Sequence, residues 1–125
     1  MDDEQGVADQ PNGQPKDLKM GPWTPRQATE RIRAYANDPF FDLSYKQHAK
    51  EQLTKRDLTT GDALYVLKKG FVYADPLPAT QPGYFRYAME GSTPNSGGRS
   101  LRVIVIPTPC RPHAKVVTVM WVDGT

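Results

Sequence analysis

The chain has 125 residues, which is room for one domain with a hydrophobic core of its own. Its single cysteine, Cys110, excludes an internal disulfide and is consistent with a reducing compartment. No apolar run approaches the roughly 20 residues of a membrane span, and three acids near the start do not resemble a secretory signal. We therefore expect a cytoplasmic protein with no membrane partner.

The charge is divided unevenly along the chain. Residues 1–22 carry five acids and two lysines, a net charge of −3, whereas the remainder carries 14 basic and 9 acidic residues, a net charge of +5. We expect residues 1–22 to be a disordered acidic tail, because a segment so poor in large apolar side chains cannot offset the entropy of ordering it. Residues 23–125 are expected to form a single domain. Its basic charge suits a polyanion partner that the tail would screen; the alternative is a tail that only adds solubility.

The first predicted helix follows Thr24-Pro25, with threonine as the cap and proline at the first helical position. Ala28 and Ile32 then recur at helical spacing. The helix should end at Asn37-Asp38-Pro39, because a residue before proline avoids the α region. Phe40-Phe41 is expected to be a buried connector.

Two more helices are predicted before residue 70. One runs from about Ser44 to Arg56, and a polar row lies on the flank of its apolar stripe at positions i, i+4 and i+8: His48, Gln52 and Arg56. Thr59-x-x-Asp62 is a capping box that begins the other helix, and Gly70 is the residue expected after its end.

After Gly70 the apolar residues recur with period two, which indicates strands. The candidate strands are Phe71–Ala74, Tyr84–Met89, Leu101–Ile106 and Lys115–Val122. The connectors between them are rich in Pro, Gly, Ser and Asn. We predict an α+β domain whose N-terminal helices pack on one face of an antiparallel sheet of three or four strands.

If the last three strands form a meander, hairpins centred near Pro94 and Cys110 place both Arg86 and Thr118 opposite Arg102. One sheet face is then apolar and should pack on the helices: Phe85, Tyr87, Met89, Leu101, Val103, Val105, Val117, Val119 and Trp121. The other face carries Tyr84, Arg86, Arg102, Ile104 and Thr118. Two facing arginines repel unless an anion or a carboxylate lies between them. This second face is therefore either a phosphate-binding surface or a solvated one.

Several of these positions form a pattern that resembles a family of small bacterial domains of unknown function, itself similar to RelE-, MqsR- and BrnT-type toxins of toxin–antitoxin systems. The matching residues, within about residues 40–122, are His48-Ala49, Leu53, Arg56, Leu58-Thr59, Asp62, Leu67, Gly70, Arg102, Val117-Thr118-Val119 and Trp121. The resemblance implies a RelE-like fold, an RNA substrate and an antitoxin-like partner protein. It also implies a metal-independent ribonuclease or a degenerate relative of one. Gln52 departs from the pattern, since related chains often carry an arginine there.

Ribonuclease chemistry without a metal needs a group that transfers protons near neutral pH and cations beside the phosphate. The candidate catalytic residues are His48, Arg56, Arg86 and Arg102. The candidate nucleic-acid-binding residues are Tyr84, Arg86, Arg102 and Thr118, with Tyr84 positioned to orient or stack a base. His113 lies in a proline-flanked loop and is not expected to take part.

No cofactor and no metal is expected, since two separated histidines and scattered acids give no ligand spacing. Two alternatives to a nuclease stay open: a non-catalytic module that binds nucleic acid or protein, and a structural or adaptor domain. A lone helical histidine is also often a structural hydrogen-bonding residue. The discriminating observation is whether His48 reaches Arg86 and Arg102 across one concave surface.

Overall fold

A computed structural model describes residues 22–124, which form three helices and a six-stranded mixed sheet. The elements in chain order are α1 (Pro25–Ala36), β1 (Asp42–Tyr45), α2 (Gln47–Lys55), α3 (Thr60–Lys69), β2 (Phe71–Val72), β3 (Leu77–Pro78), β4 (Phe85–Gly91), β5 (Leu101–Pro107) and β6 (His113–Trp121). The predicted α+β class is confirmed. The predicted disordered tail lies outside the described residues, apart from Pro22.

The sheet has the strand order β1-β6-β5-β4-β2, and β3 also pairs with β4. Strands β4, β5 and β6 form the predicted antiparallel meander. The sheet differs from the predicted antiparallel sheet of three or four strands in two ways. Strand β1 pairs in parallel with β6, and the two-residue strands β2 and β3 extend the sheet beside β4.

Strand β1 occupies residues that the sequence pattern assigned to a connector and to the first turn of α2. Its side chains alternate, with Leu43 and Tyr45 packed against the core and Asp42 and Ser44 exposed. Helix α2 starts only at Gln47, and no side chain caps it. The preceding connector is only partly buried: Phe41 packs against the core, but Phe40 is 83% exposed, so the prediction is wrong for Phe40.

Helices α1 and α3 begin where their caps predict. Thr24 forms a capping box with Gln27, and Thr59 forms one with Asp62. Gly70 follows α3 as expected, but its φ of −80° is not left-handed. It is required for another reason: a Cβ at this position would lie 2.5 Å from the backbone oxygen of Glu90. Glycine therefore allows the end of α3 to approach β4 closely.

The two hairpins of the meander have registers different from those predicted. Arg102 lies opposite Glu90 and not opposite Arg86, because the β4–β5 hairpin is centred at residue 96 instead of 94. Its loop turns through Gly97 and Gly98, which both have positive φ. Thr118 lies opposite Ile104. The predicted facing pair of arginines is therefore wrong.

A β-bulge in β6 changes which valines face the core. Ile104 pairs with Thr118 while Val105 pairs with Val116, so Val117 is an extra residue on β6. Val116 is fully buried and Val117 is only half-buried. The prediction that Val117 belongs to the apolar face is wrong, because an inserted residue reverses the alternation of side chains along the strand.

The rest of the predicted apolar face packs under the helices. Its buried members are Tyr87, Met89, Leu101, Val103, Val105, Val119 and Trp121. Helix α3 contributes Ala63, Val66 and Leu67 to the same core. Thr29 of α1 accepts a hydrogen bond from the Val72 backbone at 2.8 Å, which ties α1 to β2.

The buried carboxylate of Asp62 connects the start of α3 to the β4–β5 loop. It accepts hydrogen bonds from the Thr59 backbone and the Thr93 hydroxyl, both at 2.8 Å, and from the Asn95 amide at 3.1 Å. Burial raises the pKa of the Asp62 carboxyl, but these hydrogen bonds outweigh it and hold the pKa below its ordinary value.

We predict that Asp62→Asn lowers the free energy of unfolding by about 1.5–3 kcal/mol at pH 7, because the new amide group faces hydrogen-bond donors. The ionised carboxylate stabilises the fold fully above its pKa in the unfolded chain, about 3.9. This contribution declines below that pH and is lost as the pH falls through the lower folded-state pKa. Urea unfolding should therefore show a difference at pH 7 that narrows towards pH 3. Asp75→Asn, at an exposed position, is the control. Equal stability of Asp62→Asn and wild type at pH 7 would refute the network.

Candidate nucleic-acid interface

A groove of about 530 Å³ lies on the sheet face opposite the helices. Its position follows from alternation along the strands. Arg86 precedes the buried Tyr87, Ile106 lies between the buried Val105 and Pro107, and Lys115 lies between buried residues of β6. The groove occupies the end of the sheet where β4 begins, β5 ends, and β1 and β6 begin. The segment between β3 and β4 forms another part of its wall.

Three cationic side chains line this groove: Lys46, Arg86 and Lys115. All three are exposed, and among the described residues none has a carboxylate within ion-pair distance. Tyr84 lines the groove beside Arg86 and adds an aromatic ring. The groove is therefore a site where cations and an aromatic surface face solvent together.

A histidine and an aspartate lie side by side in the same groove. His113 is the first residue of β6, and its partner in the parallel register is Asp42 of β1. Both residues line the groove. His113 was expected in a loop outside the site. The alternation His113-Ala114-Lys115, polar-apolar-polar, is the sequence signal that would have extended the strand and placed His113 beside Lys115.

The structure places Tyr84 and Arg86 together in the groove but separates Arg102 from them. The Arg102 guanidinium donates to the Glu90 carboxylate at 2.8 Å, and this ion pair is partly buried. Arg102 is four residues along β5 from Ile106, about 13 Å at the rise of a β-strand. Thr118, opposite Ile104, is also outside the groove lining.

His48 and Arg56 lie on or after α2, which runs along the edge of β6 where β1 ends. The Lys46 backbone donates to the Val116 oxygen at 2.9 Å. His48 is exposed, lies two residues after Lys46, and does not line the groove. The Arg56 guanidinium donates to the backbone oxygen of Gln52 at 3.3 Å. The Nε of Arg56 is buried with no hydrogen-bond partner among the described residues. The four candidate catalytic side chains therefore do not converge on one surface.

Gln52 has a structural contact that an arginine cannot reproduce. Its Oε1 accepts a hydrogen bond from the Val119 backbone N–H at 2.7 Å. That N–H lies on the edge of β6 beyond Val116, the last residue that pairs with β1. The Gln52 side chain therefore supplies the acceptor that β1 does not supply at this position. Arginine has only donors and would leave this N–H without an acceptor.

A family model described as a domain of unknown function, DUF4258, matches residues 45–121 of the chain. The chain belongs to this family. The match begins at the end of β1 and ends with β6, so it includes α2, α3 and most of the groove but not α1. No curated protein and no solved structure matches the chain significantly.

Among residues 22–124, no helix is long and apolar enough to span a bilayer. In the same part, no group of three or more His, Cys, Asp and Glu residues is arranged to hold a metal ion.

We predict that Gln52→Met removes the acceptor of the Val119 N–H and lowers the free energy of unfolding by about 1–3 kcal/mol, the cost of an unpaired buried donor. Amide hydrogen exchange should show faster exchange at Val119. Gln47→Met, at an exposed position on the same helix, is the control and should leave Val119 unchanged. An unaltered exchange rate at Val119 in Gln52→Met would contradict the assignment of this contact.

Proposed function

We propose that this DUF4258 domain binds single-stranded RNA in the groove of Lys46, Arg86 and Lys115. The observation that carries the proposal is the convergence of three cations and one aromatic ring in a single groove, where none of the cations has a carboxylate partner among residues 22–124. Cations in a groove attract the phosphates of a nucleic acid, and aromatic rings stack on exposed bases. Stacking on Tyr84 favours a single strand, because bases in a duplex are already stacked.

The groove also offers polar side chains together with its cations. The polar side chains among its walls include Ser44, Thr80, Gln81 and Thr108. Hydroxyl and amide groups of this kind bind base edges and the ribose 2′-hydroxyl, the group that distinguishes RNA from DNA. They support RNA as the ligand, in agreement with the resemblance to RelE-type toxins.

The same groove contains the groups that metal-independent cleavage of RNA requires. In the proposed reaction the His113 imidazole takes the proton of the ribose 2′-hydroxyl, and the 2′-oxygen attacks the adjacent phosphorus. The bond from phosphorus to the 5′-oxygen breaks, and that oxygen takes a proton from the Lys115 ammonium. The products are a 2′,3′-cyclic phosphate and a 5′-hydroxyl. Arg86 would stabilise the charge on the phosphate oxygens in the transition state.

Asp42 supports this assignment of the proton-transfer role to His113 over His48. A carboxylate beside an imidazole fixes the tautomer and stabilises the protonated ring after proton transfer. Asp42 is the register partner of His113 on the neighbouring parallel strand, and both residues line the groove, whereas His48 lies on an exposed helix surface.

A non-catalytic RNA-binding module is the second candidate function. Two contacts favour it: the Arg102 guanidinium is paired with the Glu90 carboxylate, and the Arg56 guanidinium donates to the backbone oxygen of Gln52. Fewer cations are then available to stabilise a transition state than the toxin-like pattern implies. Binding without cleavage is the result that this second candidate predicts.

For binding, we predict that Arg86→Gln/Lys115→Gln weakens the affinity for a labelled single-stranded RNA and makes it less sensitive to salt. Each lost phosphate contact should reduce the slope of log K against log salt by about 0.7. Fluorescence anisotropy between about 50 and 200 mM salt measures both quantities. The double variant Lys55→Gln/Lys69→Gln has the same change of charge at exposed helical positions and is the control. An equal loss of RNA affinity in the two double variants would refute the groove as the binding site.

For catalysis, we predict that the protein cleaves naked or ribosome-bound RNA in the presence of EDTA. His113→Asn should reduce the rate by about 10²–10⁴, the usual contribution of a general acid–base group. His48→Asn is the comparison at the other histidine and should have a much smaller effect. Circular dichroism of both variants verifies folding. RNA that is bound but left intact would establish the non-catalytic alternative. A larger loss of cleavage rate in His48→Asn than in His113→Asn would assign the proton-transfer role to His48 on α2.

A further inference from the structure

We propose that the acidic segment, residues 1–22, docks in the basic groove of its own molecule and competes with RNA there. The competition rests on the proposed function, but the intramolecular contact does not. The proposal combines three observations: where the segment joins the domain, the charge that each side carries, and the length of chain available.

The segment joins the domain at the end of the sheet where the groove opens. Trp23 is buried, and its ring stacks on Tyr87 with centroids 5.4 Å apart. The backbone N–H of Trp23 donates to the Tyr87 hydroxyl at 2.8 Å. A small pocket beside Trp23 includes Gly83, Pro107 and Pro109 among its walls. Tyr84 and Thr108, which line the groove, are the direct chain neighbours of these residues. A segment that leaves Trp23 therefore has only to pass around the end of β4 and β5 to enter the groove.

The charges of the two sides are complementary. The segment carries −3, from five acids and two lysines. The groove carries three cations against the single carboxylate of Asp42. The five acids of the segment are Asp2, Asp3, Glu4, Asp9 and Asp17. No apolar anchor is needed for such a contact, since opposite charges in a concave site attract over about a Debye length.

The segment is long enough to place its acids on all three cations. Asp17 is six residues before Trp23, a span of up to about 20 Å when extended, and Asp9 is 14 residues before it. Strands β4 and β6, which carry Arg86 and Lys115, are separated by two strand spacings, about 10 Å. A tethered ligand acts at an effective concentration in the millimolar range, so weak individual contacts suffice to occupy the groove.

The contact itself is tested in the full chain without RNA. Cys110 is the single cysteine, is exposed, and lies in the loop between Thr108 and His113, so it accepts a nitroxide spin label beside the groove. At low salt we expect the label to broaden the amide signals of residues 2–9. The broadening should weaken at about 0.5 M salt, where the Debye length is only a few ångströms.

Matched variants distinguish docking from simple tethering near the label. The triple variant Lys46→Gln/Arg86→Gln/Lys115→Gln should lose the broadening of residues 2–9. Lys50→Gln/Lys55→Gln/Lys69→Gln, with the same loss of charge at exposed helical positions, should keep it. Absence of broadening in the wild-type chain at low salt, or equal broadening in both triple variants, would overturn the docking proposal whether or not the protein binds RNA.

The competition is tested by neutralising the five acids to their amides and measuring affinity for single-stranded RNA. The Kd should fall by about threefold or more, the factor expected when the segment occupies the groove about two thirds of the time. The matched control neutralises five acids outside both the segment and the groove: Glu30, Asp38, Glu51, Asp57 and Asp75. A fall in Kd of the same size in the control would show an effect of net charge alone and would overturn the competition.

Discussion

The short parallel pairing between β1 and the first half of β6 determines where the groove residues lie. It brings Asp42 beside His113 and Ser44 beside Lys115. It also ends at Val116, so the chain turns into α2 at that point and leaves Lys46 at the groove. Without this pairing the first residues of β6 would form an open edge, and the polar groups of two distant segments would not meet.

The end of that pairing creates a second requirement, which α2 satisfies. Beyond Val116 the outer edge of β6 has backbone groups with no neighbouring strand, and unpaired backbone donors are costly when they are removed from water. Gln52 meets this requirement by accepting from Val119. The apolar residues Ala49 and Leu53 hold α2 in place from the core side. The row of polar residues on α2 thus has a structural role at Gln52.

Local signals in the sequence were sufficient for α1 and α3. A capping threonine bonds within its own helix turn, so its effect is readable from four consecutive residues. The Thr24 cap and the Thr59–Asp62 capping box both appear where they were predicted. The alternation of β4 and β5 was equally local, and the buried face formed by residues such as Met89 and Val103 follows it. Belonging to DUF4258 agrees with the resemblance to a family of domains of unknown function.

The features that sequence reasoning missed depend on contacts between distant residues. Strand β1 has only four residues, and its partner lies some 70 residues later, so no local pattern identified it. The hairpin register depends on how the loop after Gly91 turns through two glycines with positive φ. The bulge at Val117 exchanges the faces of neighbouring valines. Because of these three features, Arg86 does not face Arg102 as predicted. It lies instead in a groove with His113 and Lys115.

We propose that RNA binds in the basic groove and not on another surface of the domain. A map of backbone amide chemical shifts in the full chain, recorded during titration with a short single-stranded RNA, tests this proposal. RNA in the groove should cause the largest changes at the groove strands, at Ser44, Thr108 and Lys115, while α1 on the opposite face of the sheet stays unchanged. Changes concentrated on α1 or on the exposed surface of α3, with the groove amides unaffected, would contradict it.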